Sequence, residues 1–202
     1  MEQNEIHFFR KYVKLSVLLD ILKRGQITML SPKNWSDKND SFVMEKYREK
    51  KNAKYVCATC FSIESESVYH WNAFSDGSEG CQLVIKAQKF LDRLAAYHGV
   101  VHGEVEYLPV NFDKNVPLDQ YPFVKRKQFA CEREYRLVML SDECDTYPIS
   151  LDSEVIRSIS LSDKMPKSVA ESVKKIINDL YPNVDVYCST LNDNAQWKNH
   201  FK

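Results

Sequence analysis

The run from Tyr55 to Phe61 constrains the fold most, because its sequence, Tyr-Val-Cys-Ala-Thr-Cys-Phe, is apolar on both faces of a strand. A strand that is buried on both faces lies inside a sheet and is covered on each side. Cys81–Ile85 is a second run of this kind, and Glu132–Leu140 is the most strand-like segment of the chain. We expect these three runs to be interior strands of a sheet.

Helical segments are interspersed irregularly among the predicted strands. Residues 17–24 form a predicted helix that Gly25 ends, and residues 166–180 form an amphipathic helix. Strands and helices do not alternate strictly, and no linker divides the chain. The sequence therefore predicts an α+β fold, with a single domain over residues 1–202 and a mixed, twisted β-sheet flanked by helices.

Length and charge exclude several classes of protein. The chain has 202 residues, of which 44% are hydrophobic, and its 28 basic and 28 acidic residues give a formal net charge of zero. A protein that coats nucleic acid usually carries a basic surplus, so that class is disfavoured. No apolar run has the length of a membrane-spanning helix, and the polar start, residues 1–5, is not followed by an apolar signal core. We expect a cytoplasmic protein with no membrane partner.

Cysteines and basic residues give no metal or phosphate motif. In a reducing compartment we expect the six cysteines to be buried small hydrophobes without disulfides. Cys57 and Cys60 form a C-x-x-C motif, but a zinc site needs a second ligand pair, so no metal site is predicted. The run Lys125-Arg126-Lys127, within residues 123–129 that we predict to be helical, is typical of a solvated surface.

The segment Glu132-Arg133-Glu134-Tyr135-Arg136 holds the first candidate site. Alternate residues of a strand share a face, so Glu132, Glu134 and Arg136 are predicted to lie in one row. Carboxylates this close repel each other, and one of them titrates high unless Arg136 compensates. The row is either the edge of an active site or a solvated strand end with structural ion pairs.

Two further candidates lie near the start of the chain and after the Tyr55–Phe61 strand. Arg10 and Lys11 precede Tyr12 at the end of a predicted first strand, where a cation beside an aromatic ring suits a phosphate or carboxylate ligand. A surface pair is the alternative there. Trp71 is placed either to stack on a planar ligand or to fill the core beneath its turn.

The order of the motifs along the chain is informative. It runs through Arg10-Lys11-Tyr12-Val13, Gly25-Gln26-Ile27-Thr28-Met29, Trp35 with Asn39-Asp40, Cys60-Phe61-Ser62, Trp71, Val105-Glu106-Tyr107, Phe123-Val124-Lys125-Arg126 and Phe129, Glu132-Arg133-Glu134-Tyr135-Arg136, Ser189-Thr190-Leu191-Asn192-Asp193-Asn194, and Trp197-Lys198. Over nearly its whole length the chain resembles the bacterial family known as domain of unknown function 2971, which is itself similar to some abortive-infection proteins. Ser41 stands where that family usually has proline.

A more distant similarity links the chain to ADP-ribosyltransferases, which carry a Glu-x-Glu on a late strand. The resemblance implies an ADP-ribosyltransferase-like fold and NAD as substrate, with no permanently bound cofactor. It implies that Glu134 is the key carboxylate and Glu132 its partner. Among the binding residues, Arg136 keeps the carboxylate pair ionised, Arg10 or Lys11 holds the pyrophosphate, and Tyr12 or Trp71 stacks on nicotinamide. A clear Ser-x-Ser in the middle strand is missing.

Three functions stay open at this stage. The first is an NAD-consuming transferase or glycohydrolase, acting as a phage-defence or toxin effector on a protein or nucleic-acid acceptor. The second is a non-enzymatic interaction or sensor module in which the Glu/Arg strand is structural. The third is a nucleic-acid enzyme that uses the carboxylates with a divalent ion. For the first, we expect Glu132 and Glu134 to share a cleft with Arg10, Lys11 and Trp71.

Overall fold

The computed structural model describes residues 6–75 and 77–202. In chain order its strands are β1 (Phe8–Lys14), β2 (Gln26–Leu30), β3 (Tyr55–Ser62), β4 (Gly80–Lys86), β5 (Val100–Glu104), β6 (Glu106–Leu108), β7 (Val124–Arg126), β8 (Glu134–Ser141), β9 (Thr146–Ser150), β10 (Ile156–Leu161) and β11 (Asp185–Cys188). Its α-helices are α1 (Leu15–Arg24), α2 (Lys38–Lys50), α3 (Val68–Phe74), α4 (Ala87–Leu94), α5 (Lys167–Leu180) and α6 (Ala195–Asn199).

The chain divides into two compact units, and the first comes from the segments Met1–Gln26, Glu64–Phe90 and Leu151–Lys202. Its strands lie in the order β11-β10-β4-β1. Strand β4 is antiparallel to both β1 and β10, whereas β10 and β11 are parallel. This sheet is therefore mixed, as the sequence predicts.

Successive side chains of each strand point to opposite faces of the sheet, and in the first unit one face is apolar and the other is polar. Phe9, Leu83 and Ile159 are fully buried on the apolar face. Helix α1 contacts β1 and β4, and α5 contacts β11 and α1, so the two helices cover this face. The opposite face carries polar side chains, among them Arg10 of β1 and Gln82 of β4.

The second unit comes from Ile27–Ile63 and Leu91–Ser150. Its strands lie in the order β9-β2-β3-β8-β5, and β3 pairs antiparallel with β8 from Tyr55 opposite Ser141 to Ser62 opposite Glu134. Strands β6 and β7 form a separate parallel pair. Helix α2 packs on β3, and the core between them is made of Met44, Tyr47, Val56, Ala58, Phe123 and Val138.

The expected α+β class, with a mixed sheet flanked by helices, is confirmed, and so are the three interior strands. Strand β3 lies between β2 and β8, β4 between β1 and β10, and β8 between β3 and β5. The single domain over residues 1–202 stays a prediction. The polar start, residues 1–5, and Asp76 of a predicted turn lie outside the described residues.

Three short elements differ from the sequence expectations. Residues 123–129 are not one helix: Val124–Arg126 is β7, and Lys127–Glu132 is a 3-10 helix. Pairing with β6 overrides the local preference of this segment. Strand β9 escaped prediction because Pro148 interrupts its pattern; the strand lies at the end of its sheet, where proline is tolerated. Helix α6, at Ala195–Asn199, was not predicted either.

All six cysteines are free thiols. Cys57 and Cys81 are buried as expected, and burial raises the pKa of their thiols to about 11 and about 12. The expectation of burial is wrong for Cys131, in the 3-10 helix before β8, and for Cys144, in the loop after β8, because neither lies within a strand of the sheet and both are exposed. Within residues 6–75 and 77–202, no group of three or more His, Cys, Asp or Glu side chains could hold a metal ion.

No helix among the described residues is long and apolar enough to cross a membrane.

The left-handed residue after α1 gives a stability prediction. Gly25 has φ 61° and its N–H donates to the carbonyl of Ile21, which ends the helix. A side chain in this conformation is strained, so Gly25→Ala should lower the free energy of unfolding by about 1 kcal/mol in urea titrations. Lys23→Ala, at an exposed position of the same helix, should change it by less than about 0.5 kcal/mol. Equal effects of the two substitutions would contradict this account.

Candidate active site

The two glutamates of the candidate site lie on different elements, although their carboxyl groups meet. Glu134 is the first residue of β8, but Glu132 ends the preceding 3-10 helix. Arg133 between them has φ 45°, a left-handed conformation that breaks strand alternation. The prediction that Glu132 shares a strand row with Glu134 and Arg136 is therefore wrong, and a lysine brings the two carboxyl groups together instead.

Lys125 of β7 joins the two carboxyl groups. Its Nζ donates to Oε1 of Glu134 at 2.7 Å and also to Oε2 of Glu132. Asp40 Oδ2 lies 3.7 Å from the same nitrogen, and the ring of Phe129 lies 4.8 Å away. The Lys125 side chain is only 7% exposed, so the interpretation of its basic run as a solvated surface is wrong for this residue.

Arg136 closes the cluster from the other side. Its two terminal nitrogens donate to both carboxylate oxygens of Asp40, at 2.9 and 2.8 Å, and one of them donates to Oε2 of Glu134 at 2.6 Å. A further bond, at 2.9 Å, goes to the carbonyl of Pro122, and the ring of Trp35 lies 4.8 Å away. Such bidentate, charge-assisted pairs are strong and fix geometry.

Burial sets the character of this cluster. Glu132 is 4% exposed, Glu134 7% and Arg136 0%. The row is thus no solvated strand end, since its ion pairs are inside the protein. Arg136 also has no exposed surface with which to contact NAD, contrary to its predicted place among the binding residues. Arg136 is also predicted to keep the carboxyl groups of Glu132 and Glu134 ionised, and the pKa values of the two glutamates bear on that prediction.

The charges of the cluster do not balance when every group is ionised. Asp40, Glu132 and Glu134 supply three negative charges, whereas Lys125 and Arg136 supply two positive ones. A single proton held by the carboxyl groups makes the cluster neutral. A buried net charge is costly, so the fold favours this proton.

The directions of the pKa shifts favour Glu132 as the carboxyl group that holds the proton. Burial, reinforced by a hydrogen bond to Glu134, raises the pKa of Glu132 to about 7. Burial also acts to raise the pKa of Glu134, but the charge of Arg136, the bond from Glu132 and the charge of Lys125 outweigh it and hold that pKa below its ordinary value. Burial raises the pKa of Asp40 against the two cations. These directions agree with the expectation that one carboxyl titrates high, whereas the prediction that Arg136 keeps both carboxyl groups ionised holds only for Glu134.

Asp40 and Lys125 are the members of the cluster that sequence analysis missed. Asp40 is in the first turn of α2 and is 4% exposed. Both residues occur within the ordered motifs of the sequence, and that order was the only signal available. No short motif links either residue to Glu134, because Asp40 is on α2 and Lys125 is on β7, and only the fold brings them to the cluster.

The remaining predicted site residues lie in the first unit. Arg10 lines a cleft of about 390 Å³ together with Gln82 and Arg157. Lys11 pairs with Leu83 in β4 while Arg10 pairs with Val84, so the two cations point to opposite faces of β1. They do not face one cleft as predicted. Both also lie within β1 and not at its end.

Tyr12 and Trp71 belong to an aromatic group in the same unit. Tyr12 stacks on His70, with ring centroids 5.4 Å apart, and its hydroxyl accepts a hydrogen bond from Gln82 Nε2 at 2.6 Å. Trp71 meets the Tyr12 ring edge-on and donates its indole N–H to Glu66 Oε1 at 2.6 Å. His70 therefore covers one face of Tyr12, whereas Trp71 lines a second cleft of about 390 Å³.

The seven predicted site residues thus fall into two groups. Glu132, Glu134 and Arg136 are in the second unit, whereas Arg10, Lys11, Tyr12 and Trp71 are in the first. A cleft shared by the two groups stays a prediction.

Comparison with known proteins gives similarities at the level of the fold. No family model matches the chain, so membership of domain of unknown function 2971 stays a prediction. A search of the curated proteins found no match. Among solved structures, the chain is similar to DarT of Thermus sp. 2.9 in complex with NAD+, with 12% identity, a TM-score of 0.47 and coverage of 92% of this chain and 96% of that one.

Two further DarT structures from the same organism are similar. The complex with ADP-ribosylated ssDNA has 14% identity and a TM-score of 0.46, and covers 93% of this chain and 95% of its own. The complex with carba-NAD+ has 12% identity and a TM-score of 0.46, and covers 93% and 97%. Identities this low bear on the fold alone, and with TM-scores of this size no functional conclusion follows.

The raised pKa of Glu132 predicts how stability depends on pH. A carboxyl whose pKa is higher in the folded than in the unfolded chain stabilises the fold below its ordinary pKa of 4.5, and this stabilisation is lost as the pH rises towards 7. Chemical denaturation should therefore show the free energy of unfolding falling between about pH 4.5 and about pH 7, by at most about 3 kcal/mol from this group. Glu132→Gln should make the fall smaller, with a remainder from Asp40, whose raised pKa has the same sign.

Glu143→Gln is the matched control, since Glu143 is exposed and forms no ion pair with another described residue. This variant should keep the wild-type pH dependence. If Glu132→Gln and wild type lose stability in parallel over this range, Glu132 does not hold the proton.

Proposed function

We propose that this protein consumes NAD by cleaving the glycosidic bond between nicotinamide and ribose, as an ADP-ribosyltransferase-like enzyme. The observation that carries the proposal is a buried pair of carboxyl groups, those of Glu132 and Glu134, which share Lys125 Nζ while only Glu134 is also paired with Arg136. These surroundings lower the pKa of Glu134 and raise that of Glu132. Pairs of carboxyl groups with separated pKa values are typical of glycosidic chemistry, where one carries charge and the other moves a proton.

Glu134 is the carboxylate that stabilises the transition state. When the bond between C1′ of the ribose and the nicotinamide nitrogen breaks, the electron pair leaves with nicotinamide, which departs as a neutral molecule. Positive charge then develops on C1′ and its ring oxygen. A preorganised carboxylate in a buried setting stabilises this charge more strongly than one in water. Arg136 and Lys125 keep Glu134 ionised and hold it in place.

Glu132 is suited to take the proton of the acceptor. The acceptor, either water or a nucleophile of a protein or nucleic acid, forms the new bond to C1′ and must lose its proton. A general base works best when its pKa is close to the working pH, which a pKa of about 7 satisfies. The predicted NAD contacts of Arg10, Lys11, Tyr12 and Trp71 belong to this proposal. So do a cytoplasmic location and a role as a phage-defence or toxin effector.

A second candidate has an observation of its own. Both carboxylate oxygens of Glu134 already accept bonds, from Lys125 and from Arg136. Buried networks of this kind also occur where a charged cluster only fixes the fold. In that case the protein is a non-enzymatic interaction or sensor module, and the glutamates hold β8 and its neighbours together. The carboxylate-dependent nucleic-acid enzyme has no comparable support, since no metal-binding group was found among the described residues.

Nicotinamide release from NAD tests the proposal directly. The wild-type protein should release nicotinamide at neutral pH, and Glu134→Gln should lower kcat by about 100-fold or more with little change in KM, because it removes charge and keeps shape. Glu143→Gln should keep the wild-type rate. Since Glu134 is also paired structurally, rates should be compared at a temperature where circular dichroism shows each variant folded.

Two results would contradict the proposal: the first would reject the enzymatic activity, and the second would reject the role of Glu134 in it. The first is a folded wild-type protein that releases no nicotinamide at any pH between about 5 and about 9, a range that includes both protonation states of Glu132. The second is turnover by folded Glu134→Gln at the wild-type rate. With either result, loss of thermal stability in Glu134→Gln would support the structural role of the cluster.

A further inference from the structure

The cleft beside Trp71 lies wholly within the first unit and contains none of the glutamate cluster. Its volume is about 390 Å³, and it lies between α3 and the segments that follow β10 and β11. Val68 and Leu191, two large hydrophobic side chains at this cleft, are 50% and 36% exposed. The cleft thus combines an indole ring and exposed apolar side chains with polar groups, the composition of small-molecule sites.

Trp71 is held in a fixed orientation at this cleft. Its indole N–H donates to Glu66 Oε1, which also accepts a bond from Ser189 Oγ at 2.5 Å. A Cβ at Gly80 would lie 3.3 Å from the indole ring and 2.6 Å from Ser75, so glycine lets the ring lie against β4. A ring that is already fixed in place loses little conformational entropy when a planar ligand stacks on it.

Polar side chains of the cleft fall into two sets. Asn192 Nδ2 donates to Asp163 Oδ2 at 2.7 Å, and Ser189 Oγ accepts from the N–H of Leu191, so this set fixes the wall. Asn72 and Lys164 form the other set, because their exposed side chains have no hydrogen bond or ion pair with any described residue. An amide and an ammonium group are therefore available to a ligand that occupies the cleft.

We propose that this cleft binds a single nucleotide unit, with its base on Trp71 and its phosphate at Lys164. Stacking on a fixed indole suits any base, the Asn72 amide can both donate to and accept from a base edge, and an ammonium group suits a phosphate. A volume near the lower end of the range for ligand sites matches one base with its sugar phosphate. The assignment shares Trp71 with the proposed NAD contacts, but it does not rest on the glycosidic chemistry, because it involves neither Glu132 nor Glu134.

Calorimetric titration of the full chain with AMP and with adenosine tests this site. The wild-type protein should bind both, and AMP more tightly. Lys164→Gln should weaken AMP binding by about tenfold and leave adenosine binding unchanged, because it removes only the phosphate contact. Trp71→Leu should weaken both ligands by about tenfold or more. Lys175→Gln, an exposed lysine of α5 outside the cleft, should leave both affinities unchanged.

The same titration separates the sources of such a nucleotide. A tetranucleotide of deoxyadenosine that binds more tightly than AMP indicates a nucleic-acid strand, equal or weaker binding indicates a free nucleotide, and displacement of AMP by NAD indicates one half of the dinucleotide. The site is rejected if wild type binds neither AMP nor adenosine at millimolar concentration, or if Lys164→Gln weakens AMP and adenosine equally. Because NAD turnover is not measured, failure of the enzymatic proposal leaves this result intact.

Discussion

The second unit is organised around the fully buried guanidinium of Arg136. A charge in this position is tolerated only if carboxylates and carbonyls surround it. Asp40 from α2, Glu134 from β8 and the carbonyl of Pro122 meet that need, and Trp35 covers the guanidinium. The positions of α2, of β8 and of the segment before β7 are thereby fixed relative to one another within this unit.

The carboxylates that pair with Arg136 must also leave the buried cluster without a net charge, and the chemistry of the site follows from this charge balance. Asp40 and Glu134 together balance the charges of Arg136 and Lys125, so Glu132 enters the cluster as a surplus acid. Protonation of Glu132 removes the buried net charge at the lowest cost in free energy. The same balance that stabilises the fold therefore keeps one carboxyl ionised and places the titration of the other near neutral pH, which is the division of roles that glycosidic cleavage uses.

Sequence reasoning found the parts of this site that depend on local pattern and missed those that depend on the fold. The alternating run after Glu134 predicted β8, and the nearness of the two glutamates indicated that one carboxyl titrates high. The prediction that Arg136 keeps both of them ionised holds only for Glu134. The left-handed turn at Arg133 carries no sequence signal, because arginine rarely adopts it. Asp40 lies far from Glu134 in sequence, and Lys125, nine residues before it, is on a separate element, so only the packing of α2 and β7 could reveal them.

Direct titration of the two glutamate side chains tests the central claim, that the buried cluster separates their pKa values. NMR of isotope-labelled glutamate carboxyl carbons should show one resonance that shifts with a midpoint at about pH 7 and disappears in Glu132→Gln. A second resonance, from Glu134, should show an ionised carboxylate from about pH 4 upward. Two resonances that titrate together near the ordinary value of 4.5 would contradict the account.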